Sequence, residues 1–124
     1  MITKDFALLC EFASLSVNHL HTFGHVFDRT TFADGAKPGL QGFLAVKLVG
    51  LPGECEVEAY LTDAQQTLVP NAQLFKGKVK GPQATIVVRV PGLAVPDFGE
   101  YTFWARVDGG EPMRLTTWTA VQKS

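Results

Sequence analysis

Two neighbouring stretches of the chain alternate between polar and apolar side chains: residues 54–62, which carry glutamates, and residues 72–80, which carry lysines. A period of two predicts β-strands with one buried and one solvent-facing side. We predict that the two strands pair antiparallel with Glu54 opposite Lys80, because that register matches the charges and the apolar positions together. The same register sets four further pairs opposite one another: Glu56 and Lys78, Glu58 and Lys76, Cys55 and Val79, and Ala59 and Phe75.

Apolar segments separated by Gly-, Pro- and Asp-containing turns cover most of the remaining chain, and no segment of useful length has a helical period. Further strands are predicted over residues 6–15, 19–32, 40–49, 84–90, 97–107 and 111–121. In the first, Phe6, Leu8, Cys10 and Phe12 alternate and are predicted to face inward. About eight strands at short spacing favour an all-β fold, an antiparallel β-sandwich that forms one domain over residues 1–124.

The terminal hairpin turns at residues 108–110. A three-residue loop is preferred because it pairs Ala105 with Met113 and buries an apolar set, whereas a two-residue loop would bury Arg114. That register also sets Phe103 against Leu115 and Tyr101 against Thr117. The opposite face then carries a group of aromatic and cationic side chains: Trp104, Arg106, Arg114 and Trp118. Trp104 and Arg114 are directly opposed, at a distance that suits a cation–π contact.

The sequence Asp97-x-Gly99-x-Tyr101-x-Phe103 at the start of this hairpin resembles the tyrosine-corner motif of immunoglobulin-like domains, with Phe103 in the place of the second cysteine. The resemblance implies an immunoglobulin-like sandwich in which Asp97, Gly99 and Tyr101 are structural residues. It also implies that the tyrosine hydroxyl bonds nearby backbone.

Over nearly its full length the chain also resembles a group of small, uncharacterised bacterial proteins. They share an apolar first strand (here FALLCEF), a Gly-x-x-Phe-Asp-Arg segment at residues 24–29, and a Gly-x-Tyr-x-Phe sequence before a final hairpin. This resemblance implies no activity.

Composition narrows the class of partner. The formal net charge is -1, with 46% apolar and 19% charged residues, which gives no electrostatic reason to expect nucleic acid or an anionic membrane. No apolar run reaches the roughly 18 residues of a membrane span, and the start shows no signal-peptide pattern. Two cysteines, Cys10 and Cys55, are too few for a disulfide framework, so we expect reduced, inward-facing thiols and a cytoplasmic location.

Two residue sets are candidates for metal or small-ligand binding. His19, His21 and His25 fall on one face of a regular strand, and two imidazoles spaced as His-x-His can hold a metal. Three aspartates occupy predicted loops after alternate strands, where loop oxygens bind calcium in some sandwiches: Asp34, Asp63 and Asp97. The alternative is that the histidines are solvated and that Asp97 caps its own turn.

The sequence contains none of the common nucleophile, phosphate-loop, zinc-protease or dinucleotide motifs, so neither an enzyme nor a cofactor is expected. Trp and Arg are enriched among residues that dominate protein interfaces. We therefore predict a non-catalytic module that binds a protein partner or self-associates through Trp104, Arg106, Arg114 and Trp118. The alternatives are that this face is covered by a terminal segment, or that the sandwich binds a small ligand or metal.

Overall fold

The protein folds as two β-sheets in a computed structural model that describes residues 1–15 and 21–123. Nine strands are present in these ranges: β1 (Thr3–Leu15), β2 (His21–Phe27), β3 (Arg29–Phe32), β4 (Gly39–Val49), β5 (Glu54–Thr62), β6 (Leu68–Lys80), β7 (Gln83–Ala94), β8 (Gly99–Val107) and β9 (Met113–Gln122). Sheet A has the order β2-β1-β4-β7, and sheet B has the order β3-β9-β8-β5-β6. The predicted all-β fold is confirmed, and the sheets do not close into a barrel.

The core lies between the sheets. The inward side of β4 supplies Leu44, Val46 and Leu48, and the inward side of β5 supplies Val57 and other alternate positions. Fully buried aromatic and aliphatic side chains of β8 and β9 complete it: Tyr101, Phe103, Ala105, Leu115 and Trp118. Burial of this apolar surface is the main term that stabilises the fold.

The predicted register of β5 against β6 is confirmed, with Glu54 opposite Lys80 and Glu58 opposite Lys76. The ion pairs, however, run diagonally. Lys76 Nζ lies 3.9 Å from Glu56 Oε1, and Lys78 Nζ lies 4.0 Å from Glu54 Oε1. Strand twist brings diagonal neighbours on one face within reach of long side chains.

The predicted single strand over residues 19–32 is wrong. The chain leaves sheet A at Asp28, and β3 joins sheet B, where it pairs with β9 in parallel. The backbone N–H of Thr119 donates to the carbonyl oxygen of Asp28 at 2.9 Å, at the start of this parallel pair. The chain therefore has one more described strand than predicted, and it is not purely antiparallel. A four-residue strand such as β3 carries too little pattern to reveal its partner.

The predicted register of the terminal hairpin is correct at its loop end and wrong beyond it. Ala105 pairs with Met113 and Trp104 with Arg114, but a β-bulge then shifts the pairing, so that Phe103 lies opposite Thr116 and Tyr101 opposite Trp118. A bulge inserts one residue and so reverses which face later side chains occupy.

The first strand presents the opposite side chains to the core from those predicted. Ala7 and Leu9 face the core, because they pair with Val46 and Leu44 of β4. Phe6, Leu8, Cys10 and Phe12 therefore lie on the outer side of sheet A. Both sides of this strand are apolar, so its alternation alone does not identify the buried face.

Candidate functional site

A groove of about 580 Å³ lies on the outer face of sheet B, across strands β5, β6 and β8. The outward positions of β5 and β8 form its floor, because their alternate residues fill the core. We call this the aromatic groove; its lining residues are Glu58, Tyr60, Thr62, Gln66, Leu68, Gln73, Trp104, Arg106 and Pro112.

Trp104 is fixed in the floor by a hydrogen bond. Its indole Nε1 donates to Oγ1 of Thr62 at 2.8 Å, and Tyr60 stands directly opposite Trp104 across the β5–β8 pair. The ring is half-buried, so part of it faces the groove. An indole whose N–H is satisfied inside the sheet presents its apolar surface to whatever occupies the groove.

Arg106 lies beside Tyr60 with its guanidinium carbon 5.7 Å from the centre of the phenol ring, within cation–π range. Its Nε atom is buried and has no hydrogen-bond acceptor within the described residues. Glu58 is directly across the strand pair, yet its carboxylate accepts a 3.4 Å hydrogen bond from Gln73 instead. The groove therefore contains an arginine that no carboxylate of the described residues pairs with.

The structure keeps three of the four predicted partner-binding residues together and separates the fourth. Arg114 is exposed and faces the same side as Trp104, opposite which it pairs; Arg106 lies in the groove. The prediction that Trp118 lies on the surface is wrong. Its side chain is 0% exposed, and its Nε1 donates to Oγ1 of Thr30 at 2.9 Å. The bulge in the hairpin is the reason, because it turns Trp118 into the core.

The predicted pairing of Trp104 with Arg114 is present, but the predicted cation–π contact between them is not the one observed. The two residues are opposed as predicted, but the cation–π contact that the described part of this face contains is that of Arg106 over Tyr60. Sequence reasoning missed Tyr60 and Gln73 because they belong to other strands. The pairing of β5 with β8 was the signal required to find them, and two distant strands give no local sign of it.

The candidate metal residues do not form a cluster. His19 lies outside the described residues, and only the backbone of His21 is described. His25 is exposed with φ of 55°, which interrupts the regular strand, and its Nδ1 lies 3.2 Å from Glu11 Oε2. Within residues 1–15 and 21–123, no three His, Cys, Asp or Glu side chains gather in a way that could hold a metal ion.

Two of the loop aspartates come to the same end of the sandwich. Asp63 and Asp97 line one shallow depression, whereas Asp34 is not among its lining residues. The Asp63 carboxylate stabilises its own turn. Its Oδ1 accepts hydrogen bonds from the backbone N–H groups of Gln65 and Thr67, each at 2.9 Å. The carboxylate pair alone gives no metal site.

Tyr101 bonds the backbone at the start of β8. Its hydroxyl donates to the carbonyl oxygen of Asp97 at 2.6 Å and accepts from the N–H of Asp97 at 3.2 Å. Burial raises the pKa of Tyr101, and the nearby carboxylates of Asp97 and Asp63 add to that rise, so the hydroxyl stays protonated as a donor.

Both cysteines are buried, and burial raises the pKa of each thiol; Asp108 raises that of Cys55 further. A thiol in this state is a poor nucleophile and packs as a small apolar group. Neither residue contributes to the aromatic groove.

No protein-family model matches the chain, and no curated protein matches it. The part of the chain that the structure describes contains no helix long and apolar enough to cross a membrane.

Proposed function

We propose that this chain is a non-catalytic β-sandwich module that binds a protein partner through the aromatic groove. The observation that carries the proposal is Arg106, whose buried Nε lacks an acceptor and whose cross-strand neighbour Glu58 is engaged with Gln73. Arg106 is half-buried at the groove and forms no salt bridge within the described residues, which supports a carboxylate supplied by a partner.

The chemistry around Arg106 supports a protein as the occupant. Trp104, Tyr60 and Arg106 belong to the three residue types that dominate interface energies, and they lie side by side on one rigid sheet. Leu68 stands at the edge of the groove with 60% of its surface exposed, and exposed Arg114 lies next to Trp104. A partner segment with an apolar side chain for Trp104 and a carboxylate for the arginines fits this arrangement.

We also propose that the fold is immunoglobulin-like. The order β1-β4-β7 in sheet A and β9-β8-β5-β6 in sheet B corresponds to strands A-B-E and G-F-C-C′ of that fold. Tyr101 near the start of β8 then occupies the corner before strand F. Domains of this architecture present binding surfaces on a stable two-sheet support, which agrees with a site built on β5 and β8.

A small apolar ligand is the second candidate for the same groove. Its volume of about 580 Å³ lies within the range of small-molecule sites, roughly 300–1,000 Å³. The two candidates differ in where the occupant reaches: a protein partner contacts Leu68 and Arg114 at the edges of the groove, whereas a small ligand contacts its floor.

The test begins with site-specific photo-crosslinking. A benzoylphenylalanine placed at Leu68 is expected to capture a defined protein from the source cells, and one placed at exposed Gln122 on β9, outside the groove, is the control. The captured protein is then purified, and its affinity is measured by calorimetry for wild type, Trp104→Ala and Arg106→Gln. We expect each variant to weaken binding at least about tenfold, a change of about 1.4 kcal/mol.

Arg29→Gln supplies the matched control, since Arg29 is exposed on β3 and lies outside the groove. Thermal melting of all three variants verifies that they fold. Unchanged affinity of Trp104→Ala and Arg106→Gln, or capture from position 122 alone, would contradict a partner site in the groove. Failure of position 68 to capture any protein, together with retention of a small molecule by the native protein, would favour the second candidate.

A further inference from the structure

The outer face of sheet A is apolar, although the outer face of an antiparallel sheet is normally polar. Phe6, Leu8, Cys10 and Phe12 of β1 all lie on it, on the side of the strand away from Ala7 and Leu9. The neighbouring strands extend it: Val26 and Phe43 pair with Cys10, Ala45 pairs with Leu8, and Val87 pairs with Ala45. We call these eight residues the outer patch.

The outer patch is packed like a second, half-covered core. Cys10 and Ala45 are each 0% exposed, although neither belongs to the core between the sheets. Phe43, across from Cys10, and Leu8, across from Ala45, are half-buried. The central strands β1 and β4 are therefore apolar on both sides, whereas an antiparallel sheet commonly has one polar, solvated face.

Two members of the outer patch are strongly exposed: Phe12 at 48% and Val26 at 60%. The ring of Phe12 lies over Gly24 of β2, where a Cβ atom would stand 1.9 Å from the ring. Glycine at this position lets the ring lie down across the neighbouring strand. The exposed part of the outer patch therefore lies across β1 and β2, where a second layer can pack against it.

The charges around the outer patch fit a second copy of the same chain. In a two-fold contact a patch meets itself, so a border of one sign would repel its symmetry mate. Here Lys47 on β4 is paired with Asp5 on β1 at 3.5 Å, and exposed Arg89 lies across from Phe43. The paired charges cancel, and Arg89 can approach an aromatic ring of the opposite copy.

The same charges disfavour an anionic membrane as the occupant. Attachment to such a surface relies on a cluster of lysines and arginines beside the apolar residues. Of the two bases on this face named above, Lys47 is already neutralised by Asp5.

We infer that the outer patch is a self-association surface on which a second copy of this chain packs sheet against sheet, forming a symmetric dimer. The dimer buries sheet A and leaves both aromatic grooves facing outward, because each groove is on the outer face of the other sheet. Two grooves on one particle can engage a repeated or clustered partner with gained avidity. The dimer itself does not depend on what the groove binds.

The experiment measures mass against concentration by light scattering and sedimentation equilibrium on the full chain, from about 1 µM to about 500 µM. We expect the wild-type mass to rise from 13.5 kDa to twice that value. Val26→Lys and Phe12→Lys are expected to stay monomeric over the same range. Leu68→Lys is the matched control, because Leu68 is as exposed as Val26, at 60%, but lies at the groove on sheet B; it should dimerise as wild type does.

Hydrogen exchange of the wild-type protein at low and high concentration tests the dimer without any substitution. Protection of β1 and β2 should increase with concentration, while that of β5 and β8 should not. A wild type that remains at 13.5 kDa throughout overturns the inference, as does dimerisation that Leu68→Lys abolishes and Val26→Lys leaves intact. Binding of a monomeric wild type to vesicles of neutral phosphatidylcholine would assign the patch to a lipid surface and overturn it as well.

Discussion

The indole nitrogen of Trp118 donates a 2.9 Å hydrogen bond to the hydroxyl of Thr30, which joins β9 to the parallel strand β3. Trp118 is 0% exposed and lies against Tyr101, with ring centres 5.7 Å apart. The bond therefore satisfies the polar atom of one of the largest core side chains, and it fixes the short strand that enters sheet B from sheet A.

Thr30→Val should destabilise the protein, because it keeps the shape of the side chain and removes the acceptor for the Trp118 indole. An unsatisfied buried donor costs about 1–3 kcal/mol, and we expect a loss in the free energy of unfolding within that range. Urea denaturation measures it. Thr31→Val, at an exposed neighbouring position, is the control and should change stability by less than about 0.5 kcal/mol. Equal stabilities of the two variants would argue against the bond.

Tyr101→Phe should cost roughly 1 kcal/mol, because the hydroxyl both donates to and accepts from the backbone of Asp97. The measurement is the shift in the urea midpoint at neutral pH. A midpoint identical to that of wild type would show that these two hydrogen bonds add nothing to the net stability.

The contribution of Tyr101 to stability should also depend on pH in the alkaline range. Burial raises the pKa of Tyr101 above its unfolded value of about 10, so the folded state holds the proton more tightly. The resulting stability is complete below about pH 10 and is lost as the pH rises through the folded-state pKa. We expect the wild type to lose more stability than Tyr101→Phe in this alkaline window. Parallel loss in both proteins would contradict the assignment.

Gly42→Ala should be strongly destabilising. Gly42 has φ of +145°, and a Cβ atom there would stand 2.7 Å from the carbonyl oxygen of Cys10 on the adjacent strand. Gly92 has φ of +113° and open space around it, so Gly92→Ala isolates the backbone strain, about 1–3 kcal/mol. We expect Gly42→Ala to melt clearly below Gly92→Ala. Indistinguishable melting temperatures of the two variants would mean that β4 and β1 move apart to accept the Cβ atom without loss of stability.

The thiols should be unreactive in the native protein. Burial raises the pKa of Cys10 and of Cys55, which lowers the thiolate fraction at neutral pH and blocks access. We expect slow reaction with a disulfide reagent, and rapid reaction of both thiols in urea. Cys55→Ala separates the two signals. A fast phase in the folded wild type would show that one thiol is reachable.

The local sequence pattern was sufficient to predict strand register where one face of a strand pair is polar and the other is apolar. The β5–β6 register followed from charges on one side and apolar residues on the other, and each slip by one residue would have buried lysines. The loop end of the β8–β9 hairpin followed for the same reason, since Arg114 cannot face the core. Pattern failed in β1, where both sides are apolar, and the strand turned out to present Ala7 and Leu9 to the core.

The sequence by itself determined the all-β class, most strand positions, the β5–β6 pairing and the loop end of the β8–β9 hairpin, because alternation and turn residues act over a few positions. The tertiary structure decided the rest: the division at Asp28, the parallel β3–β9 pair and the bulge that buries Trp118. It also placed Tyr60 beside Trp104 in the groove. These features depend on contacts between residues far apart in the chain, whose free energies no local window contains.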